Sequence, residues 1–125
     1  MTDDERWTAI KTHLAAGDSA EDKTERDRHH LNAGCYLFEI KRELDKRRLL
    51  AGDRSVLESW GAFGGDTWVE FESLVDKSGI GDRAYKLMAR YVADVIQKRS
   101  EGRSAIVCGP EDPFSDAATI ITKEP

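Results

Sequence analysis

Apolar residues recur along this chain at spacings of three and four, in blocks set apart by glycines and runs of charge. That is the periodicity of amphipathic helices. The first block, about residues 3–16, places Trp7, Ile10 and Leu14 on one face and stops near Gly17. Residues 18–27 are almost wholly polar and read as a linker or as a solvated first turn. A long second helix, about 21–50, carries Leu31, Cys35 and Phe38 on one stripe and Leu37, Ile40 and Leu44 on a neighbouring one. A helix with two apolar stripes is covered on more than one side, so this one is expected at the centre of the fold. Gly34 would let another helix come close to it. A short third helix over about 56–63 groups Val56, Trp60 and Phe63, and Gly64-Gly65 ends it. A fourth, 68–78, turns Trp68, Phe71 and Val75 inward, and a fifth spans 82–100.

Three helix starts are written as capping boxes: Thr2 with Glu5, Ser55 with Glu58, and Thr67 with Glu70. In each, the hydroxyl would accept from an orphan backbone N–H while the glutamate reaches back to the cap. After Gly102 the pattern changes. Ser104 to Cys108 is short and β-prone, prolines 110 and 113 break structure, and Asp116 to Thr122 could pair with it. The expected architecture is a compact all-α bundle of about five helices. An N-terminal helix (1–17) and a helical core (28–103) flank the polar stretch, and residues 104–125 form an irregular or β-prone tail.

Residues 71–90 contain the pattern most specific for function. Leu74 and Val75 give the first helix an apolar face, Gly79 supplies a turn, and Ile80, Tyr85 and Met88 place apolar bulk after it. This spacing suits two helices crossing at roughly 90–120° through a short turn. The segment resembles the helix-turn-helix of phage repressors of the lambda type, within a unit spanning 67–100. Gly79 matches that family's turn glycine, and Leu74, Ile80, Tyr85 and Met88 match its buried positions. Val75 stands where the family prefers alanine, and Ser78 replaces a usual apolar residue. A wider stretch, Leu31 to Val95, is similar to a small helical domain of unknown function carried by phages and plasmids. The residues that carry it are Leu31, Gly34, Leu37, Lys41 and Leu44, then Trp68 and Phe71, then Ser78 to Met88. The Ala51–Gly65 region is longer here than in that pattern. The resemblance implies a mobile-element origin. It also implies that Gly81, Asp82, Arg83, Lys86, Leu87 and Arg90 face the major groove. Arg83, Lys86 and Arg90 would then contact phosphates or guanines, with Asp82 capping the helix or accepting from cytosine N4.

Charge qualifies that expectation. The 125 residues carry a formal charge of −5, which does not suit a dedicated non-specific nucleic-acid binder. Residues 1–25 hold 3 basic and 7 acidic groups, residues 105–125 hold 1 and 4, and the middle is net +2. The candidate recognition helix is therefore locally basic between acidic ends. Lys98 and Arg99 are explained by the dipole at a helix C-terminus; Arg83, at the helix start, is not.

Two functions from different classes follow. The leading one is a DNA-binding regulator of a phage or other mobile element, reading duplex DNA through Arg83, Lys86, Arg90, Asp82 and Leu87. The alternative is an acidic interaction protein that inhibits a host nucleic-acid-binding complex, in the manner of anti-CRISPR proteins. Its partner surface would then include Asp3, Asp4, Glu5, Glu111 and Asp112. Tyr91, Val92, Val95 and Ile96 form an apolar ledge that either packs on the second helix or pairs two copies into a dimer.

Little favours an enzyme, and no catalytic residue or cofactor is expected. His13, His29 and His30 are the only histidines. His29 and His30 with Cys35 could set two ligands on one helical face, but no second ligand pair completes a metal site. The stretch Gly61 to Asp66 lacks the lysine of a phosphate loop and is read as a helix breaker. Cys35 and Cys108 are too few for a disulfide framework and are read as reduced. No apolar run reaches the length of about 18 residues needed to span a membrane, and the N-terminus has no secretion signal. A cytoplasmic protein is expected.

Overall fold

The computed structural model describes residues 2–53 and 66–104, and among them the chain is all-helical, with four helices and no strand. They are α1 (Asp3–Ser19), α2 (Lys23–Leu50), α3 (Asp66–Ser78) and α4 (Arg83–Ser100). The helix expected over 56–63, its cap Ser55 with Glu58, and residues 105–125 of the tail lie outside the described residues. So do Cys108, Glu111 and Asp112. Among the described residues no helix is long and apolar enough to cross a membrane.

The capping box at Thr2 forms as expected: the Thr2 hydroxyl accepts from the Glu5 N–H and the Glu5 carboxylate accepts from the Thr2 N–H, both at 3.2 Å. α1 does not end at Gly17 but runs on to Ser19. Gly17 is an approach point, not a terminator. A Cβ there would lie 2.9 Å from His30 Cδ2 and 3.2 Å from His29 Cβ. Residues 18–27 are divided between the end of α1, a three-residue connection and the first turn of α2, where Asp22 caps by accepting from the Thr24 N–H.

The short connection makes α1 and α2 an antiparallel hairpin, and the cross-pairs follow that direction. Asp3 meets Arg47, Arg6 meets Glu39, His13 meets His29, and Asp18 meets His30. Ile10 and Leu14 bury the apolar face of α1, with Trp7 half-buried beside them. α2 is the centre of the bundle, packed by α1, α4 and α3. From Ala33 to Asp45 nearly every residue is buried, including Cys35, Leu37, Phe38 and Ile40. The two stripes seen in the sequence have merged into an all-round covering.

α4 meets α2 at Gly34. A Cβ on Gly34 would lie 2.3 Å from the Leu87 carbonyl oxygen and 2.8 Å from Tyr91 Cβ, so only glycine allows this contact. Beside it the Phe38 and Tyr91 rings pack at 6.0 Å, and each buried side chain of this size contributes about 1.5–3 kcal/mol. α3 adds the fully buried Phe71 and Val75 to the core, and at the other end of α2 it also attaches through polar groups. Lys41 and Asp45 are fully buried, with Lys41 Nζ donating to both Asp45 oxygens at 2.9 and 2.8 Å. The Thr67 hydroxyl donates to Asp45 as well. Thr67 is therefore not the cap its spacing with Glu70 suggested. It lies inside α3, which begins at Asp66, and its hydroxyl is drawn to a buried carboxylate that needs another donor.

Two stability predictions follow from these contacts. Gly34→Ala should lower unfolding free energy in urea by about 1–3 kcal/mol, because a backbone carbonyl cannot rotate away as a side chain can. The gain in helix propensity, about 1 kcal/mol, does not offset it. Asp45→Ala, which strands the Lys41 ammonium, should cost about 3–5 kcal/mol. The triple change Lys41→Met, Asp45→Leu, Thr67→Val should recover most of that loss in the same denaturation measurement.

Candidate functional site

α3 and α4 are joined by a four-residue turn, Gly79 to Asp82. The Ser78 hydroxyl donates to the Val75 carbonyl at 2.6 Å and accepts from the Ile80 N–H at 3.3 Å, closing α3. Gly79 and Gly81 then take φ of 79° and 77°, left-handed values that account for both glycines. Gly79 is thus the turn residue its position suggested, and Gly81 serves the turn too. Asp82 occupies the N-cap of α4 but its side chain makes no capping hydrogen bond. Met88 is fully buried, whereas Leu74, Ile80 and Tyr85 are half-buried against the core.

The residues expected to face a groove divide in two. Leu87 faces inward, only 5% exposed, because the approach of α4 to Gly34 turns that side of the helix onto α2. Arg83, Lys86 and Arg90 remain on the outer side with Asp82. Two of these cations are engaged within the chain. Arg83 makes a two-pronged pair with Asp18, one bond at 2.8 Å, and its Nη2 also lies 3.1 Å from His30 Nε2. Arg90 pairs with Asp27 at 2.8 Å. The Arg83 guanidinium holds the Asp18 carboxyl at about 2, well below its ordinary 3.8. Arg90 likewise lowers Asp27, and Asp18 in turn raises Arg83. Two of the three cations on this face, Arg83 and Arg90, are thus paired with carboxylates of the α1–α2 hairpin, Asp18 and Asp27.

The surroundings of the α3–α4 turn are acidic. The Tyr85 hydroxyl is shifted upward by burial and then by the negative charges of Glu72, Asp76 and Asp82. Its ring packs 5.5 Å from Trp68, which also meets Phe71 at 5.3 Å. Of the acidic residues at the N-terminus, Asp3 is held by Arg6 and Arg47, each at 3.0 Å, and Glu5 belongs to the capping box. Asp4 is exposed, and with Glu5, Thr8 and Ala9 it lines a shallow open depression. The apolar ledge is mostly turned inward: Tyr91 and Val95 are each 1% exposed, Val92 is half-buried, and Ile96 alone projects, 62% exposed.

The histidines gather at the corner of α1 and α2. His13 Nδ1 and His29 Nδ1 are 3.0 Å apart, and the His13 ring stacks on Tyr36. Cys35 is buried elsewhere on α2 and does not join them. No group of three metal-ligating side chains occurs among the described residues.

Asp18 and Asp27 are the site residues that sequence reasoning missed. Both lay in a stretch read as linker or solvated turn, and Asp18 stands 65 positions from Arg83. No known protein family, curated protein or solved structure matches this chain.

The pairing of Arg83 with Asp18 has a direct spectroscopic test. In a carboxyl NMR titration, Asp18 should titrate near 2 in the native protein and return toward 3.8 in Arg83→Gln. Because the folded value is depressed, the linked stabilisation is present above the ordinary value and is lost as pH falls toward 2. Arg83→Gln should flatten that part of the acid-stability curve.

Proposed function

We propose that this chain is a small acidic interaction protein whose target presents a basic surface, and that α4 is a structural helix within it. The observation that carries this reading is the internal pairing of Arg83 with Asp18 and Arg90 with Asp27. A duplex laid against α4 would bring its phosphates beside Asp18 and Asp27 as well as the arginines. Exposed ion pairs are weak and could rearrange, but the two carboxylates would stay in place. Arginines already paired with carboxylates release few counterions, and counterion release supplies most DNA affinity. The formal charge of −5 and the acidic residues around the α3–α4 turn complement a cationic groove instead. The mobile-element resemblance fits an inhibitor that covers a host nucleic-acid-binding surface.

A second reading, duplex recognition through a helix-turn-helix, draws support from the turn itself, with Gly79 in the left-handed conformation, and from Lys86, exposed on α4. Both readings meet in one experiment. The protein is incubated with a random duplex pool at about 50 and 200 mM salt, and retained fragments are sequenced. The interaction reading expects no enriched motif and no salt-dependent retention. The variant Asp18→Asn with Asp27→Asn should then gain weak, salt-sensitive retention as the arginines are unmasked. An enriched motif bound by the native protein would establish the DNA reader and overturn the proposal.

A further inference from the structure

The His13–His29 contact is a polar link between α1 and α2, in line with the ion pairs Asp3–Arg47, Arg6–Glu39 and Asp18–His30. The ring centres are 5.3 Å apart and the Nδ1 atoms 3.0 Å. The first distance matches the second plus two ring radii, the largest separation possible, so the nitrogens point at each other along the line joining the rings. This is the geometry of a shared proton. A metal bound by both nitrogens would need their lone pairs to converge beside that line.

The protonation states follow from the ring chemistry. In the neutral pair one histidine carries its hydrogen on Nδ1 and donates, and the other carries it on Nε2 and accepts at Nδ1. A first added proton goes to the Nε2 of the donor, giving an imidazolium whose Nδ1–H still donates across the contact. A second has only the accepting Nδ1 left to occupy. Two N–H groups would then face each other at 3.0 Å with two positive charges behind them, and the contact must open.

We propose that His13 and His29 form a proton-operated latch between α1 and α2, closed with up to one added proton and released by the second. The surroundings favour this behaviour. On α1, Gly17 admits the His29 and His30 side chains at close range, and Asp18 follows it. On α2, Tyr36 stacks on His13, and His30 stands next to His29. From α4, Arg83 reaches His30 and Asp18, adding positive charge to this corner, while Asp27 and Asp18 both act on His30. α3 packs at the opposite end of α2, around Asp45 and Arg48.

Burial, and then the charge of His29, lower His13 from its ordinary 6.5. The unfolded or detached helix therefore binds the proton more readily than the latched one. Stability conferred by the latch is complete above about 6.5 and declines as pH falls from there through the lowered folded value. Release would free the face of α1 that carries Ile10 and Leu14, together with the part of α2 it covers.

Amide hydrogen exchange at pH 7.5 and pH 5, corrected for intrinsic rates, tests the latch directly. Protection of the α1 amides should fall by up to about tenfold for each unit by which His13 is depressed, while α3 and α4 keep theirs. His13→Phe retains a ring to stack on Tyr36 but cannot take a proton, and its α1 protection should not depend on pH. Unchanged α1 protection in the native protein, or an equal loss in His13→Phe, would overturn the proposal. Should His13→Phe fail to fold, a histidine NMR titration of the native protein decides. Two separated steps, with His13 below 6.5, support the latch; two independent titrations at the ordinary value refute it.

Discussion

The seating of α4 on α2 at Gly34 is the contact on which the arrangement of this protein depends. It brings the Leu87 carbonyl to where a side chain would otherwise stand and sets Tyr91 against Phe38. Once that approach is made, the rotation of α4 about its axis is settled. Ala84, Leu87, Met88, Tyr91 and Val95 go to the core, and Arg83, Lys86 and Arg90 go to the outside. The same seating carries Arg83 to the end of α1 and Arg90 to the start of α2, where Asp18 and Asp27 await them. A packing constraint between backbones thereby decides the electrostatics of a surface.

Polar groups do the corresponding work elsewhere on α2. The Lys41–Asp45–Thr67 cluster contributes little net stability, because desolvation offsets the attraction of a buried ion pair. What it supplies is position. A buried carboxylate with a lysine on one side and a hydroxyl on the other accepts α3 in one register and penalises slippage. At the opposite end, the histidines at the α1–α2 corner join the hairpin by a contact whose strength depends on protonation. α2 is thus held by apolar packing at its middle, by a permanent charge cluster at its C-terminal end, and by a titratable link near its start.

These features bear on what the α3–α4 pair can do in an acidic chain. Such a pair of helices is first a way of burying two amphipathic faces around a tight turn; its use on DNA needs a field that attracts phosphate. Here Arg83 and Arg90 on the outer face of α4 are paired with carboxylates from the hairpin beside it, and Glu72 and Asp76 of α3 join Asp82 of the turn around Tyr85. Geometry and field point in different directions, and the field governs long-range recognition.

Local features were legible in the residues alone. The apolar spacing of α1, the all-helical class, the cap of Thr2 by Glu5, the turn at Gly79 and the central place of α2 all depend on residues within a few positions of one another, where helix geometry relates spacing to direction. The close approach at Gly34 was legible as a possibility, since glycine marks where backbones can meet, though not which helix would come. The extension of α1 past Gly17, the diversion of Thr67 to Asp45 and the inward turn of Leu87 each depend on a partner remote in sequence. The masking of Arg83 and Arg90 depends on Asp18 and Asp27, more than 60 positions away. Periodicity records which face of a helix is apolar, but an ion pair exists only where packing has already brought its two charges together. The sequence alone therefore determined the helices and their inner faces. The tertiary structure decided which charges remain on the surface and which neutralise one another, because Coulomb attraction depends on distance in space and not on distance along the chain.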